Sequence, residues 1–131
     1  MAAYEIEIIL NRQLADCLSI PVFITDTMGN LIFYNDPAES ILGTRFEETG
    51  EMKVEMWSTV FKPLDEDRNP MQPEHLPLVQ TLGDQLPHFK TFWIESLKGK
   101  AEKISVTSYP IIGRTEKFLG AVAIFWQTKD I

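Results

Sequence analysis

At 131 residues, with 44% hydrophobic and 11% aromatic content, the chain can fill one core and has no room for two of ordinary size. Its formal net charge of −7 speaks against a nucleic-acid surface, which needs a clustered excess of Lys and Arg. There is no apolar run long enough to cross a bilayer and no basic segment ahead of an apolar N-terminus, so the chain reads as cytoplasmic; a single cysteine, Cys17, excludes an internal disulfide and a Cys-rich zinc site.

In chain order, residues 5 to 18 set Ile6, Ile9, Leu10, Leu14, Cys17 and Leu18 at helical spacing, with Glu7, Asn11, Arg12 and Asp16 largely opposite. This predicts an amphipathic helix over 1–20 with Cys17 as a small buried thiol within its stripe. Residues 21 to 127 form the domain that follows. Val22 to Thr25 and Leu31 to Tyr34 are β-branched or aromatic runs around Asp26-Thr27-Met28-Gly29-Asn30, which predicts a hairpin. Asp36 then suits a helix cap, Pro37 the first helical position and Glu39 a capping box, with Gly43 as the stop.

The apolar residues Phe46, Met52, Val54, Met56, Trp57, Val60 and Phe61 keep no clean period and predict short helical turns. Five of the eight prolines fall between Pro63 and Pro87, a density that predicts no strand there. Within it, Glu74 to Gly83 reads as a helix whose first turn tolerates Pro77 and whose Leu78, Val79 and Leu82 share one side. From His88 the pattern changes to three strands, 88–97, 101–112 and 118–126, separated by Lys98-Gly99-Lys100 and by residues 113–117. The total is an α+β chain with a five-stranded antiparallel sheet, short helices on one face and the N-terminal helix besides.

The succession of strand, Asp26-x-x-Gly29 turn, strand, Asn35, short helix and Gly43 resembles the opening of a PAS domain. PLDEDRNPMQPEHLPLVQTLGDQ, SLKGKAEKISVTSYPI and FLGAVAIFW are similar to the second half of PAS domains of bacterial signalling proteins. The resemblance implies a non-enzymatic sensory or protein-interaction module in bacterial signal transduction. That family commonly has Asp-Ile-Thr just after the last strand, where this sequence has Gln127-Thr128.

Strand alternation divides the last three strands into two sets. One holds Phe92, Ile94, Ile104, Val106, Ala121, Ala123 and Phe125; the other holds Trp93, Ser105, Thr107, Tyr109, Val122, Ile124 and Trp126. Similarity to PAS domains puts the first set inward, towards Trp57, Phe61, Leu78 and Leu82. There the small Ala121 and Ala123 leave space for either a filled core or a pocket for a small ligand of unknown identity. The second set keeps Trp93, Tyr109, Ile124 and Trp126 on an outer face that wants cover, from the N-terminal helix or a second subunit. Ile6, Ile9 and Leu10 with those four residues are therefore the expected interface of a homodimer.

The acids are unevenly placed: eight lie from Glu39 to Asp67 against Arg45, Lys53 and Lys62, while seven bases meet four acids from Phe89 onward. This reads as solvated loops beside a lysine-fringed sheet, or as electrostatic docking of a partner. A haem-bearing sensor would need His75 as an axial ligand, though the prolines flanking it predict an exposed position; His88 lies beside the next strand. An alternative reading, a small α+β cone enzyme of the isomerase or dehydratase sort, would use Asp26, His75 or His88 as acid or base, yet it needs an inward His/Asp pair that these positions do not offer. Neither membrane nor nucleic acid is expected as a partner; a signalling protein or small molecule is.

Overall fold

A computed structural model of the chain describes residues 5–42, 50–53, 56, 63–95 and 101–128. The elements run α1 (Ile6–Asp16), β1 (Val22–Thr25), β2 (Leu31–Tyr34), α2 (Asp36–Leu42), β3 (Pro63–Leu64), α3 (Pro77–Asp84), β4 (His88–Glu95), β5 (Ala101–Ile112) and β6 (Phe118–Gln127). Short 3-10 turns sit at Pro73–His75 and Arg114–Glu116. The strands form one antiparallel sheet in the order β2-β1-β6-β5-β4-β3. The fold is α+β as expected, with six strands in place of five. Trp57, Phe61, the Gly43 stop and the Lys98-Gly99-Lys100 loop lie outside the described residues.

The first hairpin follows the predicted bounds. Asp26 makes its turn: Oδ1 accepts the N–H groups of Met28 and Asn30 at 2.9 Å each, Oδ2 accepts the Asn30 amide, and Gly29 supplies φ 86°. The helix that follows is capped one residue earlier than the sequence suggests. The Ala38 N–H donates to Asn35 Oδ1 at 3.3 Å, so Asn35 is the cap and Asp36 is the first helical residue. The reason is that Asn35, 2% exposed, also carries other bonds: Oδ1 accepts the Val22 N–H at 3.0 Å, and Nδ2 donates to the carbonyls of Ala15 and Ile20 at 2.9 Å. Only an amide both accepts and donates in this way.

The sixth strand overturns the expectation that proline density forbids one. β3 is two residues long and pairs Pro63 with Ile94 and Leu64 with Trp93, at the sheet edge, where a missing N–H costs no ladder bond. After it, Asp65 repeats the Asp26 turn: Oδ1 accepts the N–H groups of Asp67 and Asn69, and Arg68 holds φ 63° in the place of Gly29. The backbone bonds match as well, Asp65 N–H to Asn69 C=O like Asp26 N–H to Asn30 C=O. α3 begins at Pro77, three residues later than the expected Glu74, which lies in the preceding 3-10 turn; it runs through the expected stop at Gly83 to Asp84 and is capped by Gln85, in the left-handed region at φ 61°. Thr81, fully buried, donates to the Leu86 carbonyl; its hydroxyl must then accept from Ser108 at 2.6 Å, which pins α3 to β5.

Both faces of the sheet are covered, which explains why β1 and β2 are buried throughout and show no polar alternation. The inner cluster joins Phe92, Ile94, Ile104, Val106, Ala121, Ala123 and Phe125, the set predicted to point inward, with Phe23, Leu31, Tyr34, Leu76 and Leu78. The outer cluster joins Val22, Ile24, Ile32, Phe33, Ile111, Leu119 and Val122 with Ile8 and Ala15 of α1. Register shifts in β1–β2 and β5–β6 add one residue each, so Ile32 and Leu119 join the outer side against simple alternation. At the second shift Gly120 has φ 153°, and a Cβ there would come within 2.1 Å of the Thr25 carbonyl oxygen.

Candidate functional site

Two regions correspond to the predicted site residues. The first is the space between the sheet's inner face and α3. Of the expected pocket lining, Leu78, Phe92, Ile94, Val106, Ala123 and Phe125 do surround a cavity, together with Pro63, Leu76 and Pro77. Every one of these side chains is apolar. The cavity volume is about 20 Å³, space for roughly one water. Phe23 packs behind the lining residue Phe125: its ring meets Phe125 edge-on at 4.7 Å and Tyr34 at 5.9 Å between centroids. Ile104 belongs to the inner cluster but lines a neighbouring surface groove of about 270 Å³ with Pro21, Pro37 and Trp126, and Leu82 packs only at the cluster's margin. Phe125 borders both the cavity and the groove.

The second region is the outer face with α1. Here the expected stripe is turned away from the sheet. The helix docks on its own sheet through Ile8 and Ala15, 6% and 1% exposed, whereas Ile6, Ile9, Leu10 and Leu14 are 63%, 43%, 55% and 56% exposed. Size of the apolar stripe did not choose the docked face; polar hooks did. Tyr109 donates to Asn11 Oδ1 at 3.0 Å, the Arg12 guanidinium lies 4.5 Å over the Phe33 ring, and Asn35 holds the Ala15 carbonyl. The small Ala15 lets the helix backbone approach β1. Cys17, expected to be buried, caps the helix C-terminus and is exposed.

The four sheet residues expected at an interface therefore divide. Tyr109 and Ile124 are partly buried against the outer cluster that α1 completes. Burial pushes the Tyr109 hydroxyl above its ordinary pKa. Trp93 lies under the Arg68 guanidinium, 4.5 Å from its ring centre. Trp126 remains 38% exposed, beside an equally outward Phe89 that the sequence reading passed over, with ring centroids 6.0 Å apart. Its signal was present: Phe89 shares strand parity with Trp93.

The remaining titratable candidates stand apart from both regions. His75 is exposed in its 3-10 turn and His88 pairs with Asp84 at 2.6 Å on the surface. Slight desolvation pulls the Asp84 carboxyl up, but the Leu86 N–H and the His88 ring outweigh it and leave it below its ordinary value. Asp26 is occupied by its turn. Among the described residues no inward His/Asp pair forms, and none of their helices is long and apolar enough to cross a membrane.

A family model for the PAS domain matches residues 10–77, more than half of the sequence. The chain belongs to the PAS domain family. No curated protein sequence matches it. Solved PAS structures share its fold: the PAS domain from Bordetella pertussis BvgS has a TM-score of 0.66 at 15% identity, covering 95% of this chain and 87% of that one. The PAS domain of a Colwellia psychrerythraea protein gives 0.64 at 19%, covering 92% and 96%. The Rhodobacter sphaeroides LOV protein gives 0.69 at 9%, covering 95% and 69%. As a PAS domain, this chain is a member of a family of signalling sensor modules, with the sheet and α3 enclosing the inner cavity.

Proposed function

We propose that this PAS domain is a non-enzymatic, cytoplasmic sensory and protein-interaction module of bacterial signal transduction that works as a homodimer. The observation that supports this is the exposed stripe Ile6, Ile9, Leu10 and Leu14 on a helix already anchored to its own sheet by its opposite face. A docked, rigid helix with an uncovered apolar stripe presents a ready surface, and a twofold pairing buries the same stripe from both copies. Fully burying a large aliphatic side chain is worth about 1.5 to 3 kcal/mol, and these are about half exposed, so eight side chains gain about 8 kcal/mol. That lies within the 4 to 15 kcal/mol cost of association, so Trp126 and Phe89 must contribute and the dimer is of modest affinity.

The test is light scattering on the double variant Leu10→Asp with Trp126→Asp: it should run as a monomer at concentrations where the unmutated chain is dimeric. An unchanged mass would contradict the proposed surface.

A small ligand against the inner face is the second reading, favoured by the position of Phe125 between cavity and groove. Rotation of that ring would join the two spaces. Native mass spectrometry of the purified chain should then show an added mass, and Phe125→Trp should abolish it; the bare chain mass alone would contradict this reading.

A further inference from the structure

Among the described residues, the β4 side of the sheet is left largely open. β3 covers β4 only at Trp93 and Ile94, and among the described residues nothing pairs with the rest of that side. The direction of the backbone groups follows from the ladder. The Lys103 carbonyl accepts the Thr128 N–H, on the β6 side of β5, so its partner Trp93 turns its own N–H and C=O away from β5. Thr91 and Phe89 share that parity, and their four backbone groups face outward. Edges of this kind are templates for another strand unless they are blocked. Here the space beside the edge is a groove of about 540 Å³ lined by Asp65, Glu66, Asp67 and residues Phe89 to Phe92.

We propose that the outer edge of β4, from Phe89 to Thr91, is a strand-addition site for an extended peptide of a partner protein carrying a basic residue at the end that meets the 65–67 turn. Charge selects this occupant. Glu66 and Asp67 are exposed at the end of the groove, and the nearest cation of that turn, Arg68, is drawn onto the Trp93 ring on the outer face. Lys90 stands mid-edge on the opposite face from Phe89, so pairing two copies antiparallel about this point would set Lys90 against Lys90, a destabilising like-charge pair. A heterologous peptide avoids that and offers the acids a partner. Its apolar residues would lie beside Phe89, 63% exposed. The edge is separate from the α1 stripe; the Phe89 ring is the one group it shares with the proposed dimer surface, while the outward backbone groups of Phe89 and Thr91 belong to the edge alone.

The probe is a short synthetic peptide of alternating threonine and valine ending in two lysines, titrated into the full chain with amide NMR as readout. Shifts should concentrate at Phe89, Lys90 and Thr91, and the same peptide ending in two glutamates should bind at least about tenfold more weakly. The double variant Glu66→Lys with Asp67→Lys, on an exposed turn, should reverse that preference. Thr91→Pro removes an outward N–H at an edge position that tolerates proline and should abolish binding; a lysine peptide N-methylated at alternate residues should fail on the unmutated chain even where that variant does not fold. Absence of shifts, equal binding of both peptides, or shifts at α1 in place of β4 would overturn the proposal. So would the same shifts rising with protein concentration alone, which would give the edge to a second copy.

Discussion

Asn35 shows how one side chain fixes several elements. Its amide caps α2, bonds β1, and holds the carbonyls that end α1 and precede β1. Asn35→Asp keeps the acceptor but sets a carboxylate against two carbonyls; it should lower stability by about 1 to 3 kcal/mol in chemical denaturation, while Asp36→Ala, at an exposed helical position, changes the midpoint little. Equal midpoints for the two variants would show that Asp36 is the cap after all. Gly120 is constrained differently, by space: Gly120→Ala drives a Cβ into the Thr25 carbonyl and should cost more than about 2 kcal/mol, read as a fall in thermal midpoint. The sequence made Asn35 visible as a polar stop after a strand. Its four bonds were not legible, because three of their partners are backbone groups brought in by the fold from Ala15, Ile20 and Val22.

At the scale of elements, local chemistry was readable where a turn or cap acts on its own neighbours, and unreadable where tertiary contact decides. The hairpin at 22–34 and the strand 101–112 follow from residues within a few positions. β3 does not, since two residues of strand exist only because β4 lies alongside. The docked face of α1 was likewise left open, because Ile8 and Ala15 present less apolar surface than the opposite stripe and are held through Asn11, Arg12 and Asn35, contacts that only the fold brings together. Burial of the Tyr109 hydroxyl beneath α1 gives this docking a pH dependence. With its pKa raised in the folded state, the neutral hydroxyl contributes stability that is fully present below the unfolded value of about 10 and is lost as pH rises through the folded value. The denaturation midpoint of the unmutated chain should therefore fall more between pH 8 and pH 11 than that of Tyr109→Phe, and equal falls would contradict the burial of this hydroxyl.

For the whole molecule, alternation sorted three strands into two faces and the PAS resemblance put one of them inward, which held for all seven residues assigned to it. Whether that face encloses a pocket was not legible, because Phe23 and Tyr34 of the first hairpin join the inner cluster from strands buried on both sides, which show no polar alternation. With an inner space of about 20 Å³ and an uncovered stripe on α1, the weight of the account moves from a bound molecule to a contact between chains. The contact proposed above would use two outer-face features, the α1 stripe and the Phe89–Trp126 pair, and both are exposed in the folded chain. Sedimentation equilibrium of the unmutated chain at tens of micromolar tests it most directly. The account predicts a mass approaching twice the chain's 15.0 kDa and falling on dilution; a single species of 15.0 kDa across that range would contradict it.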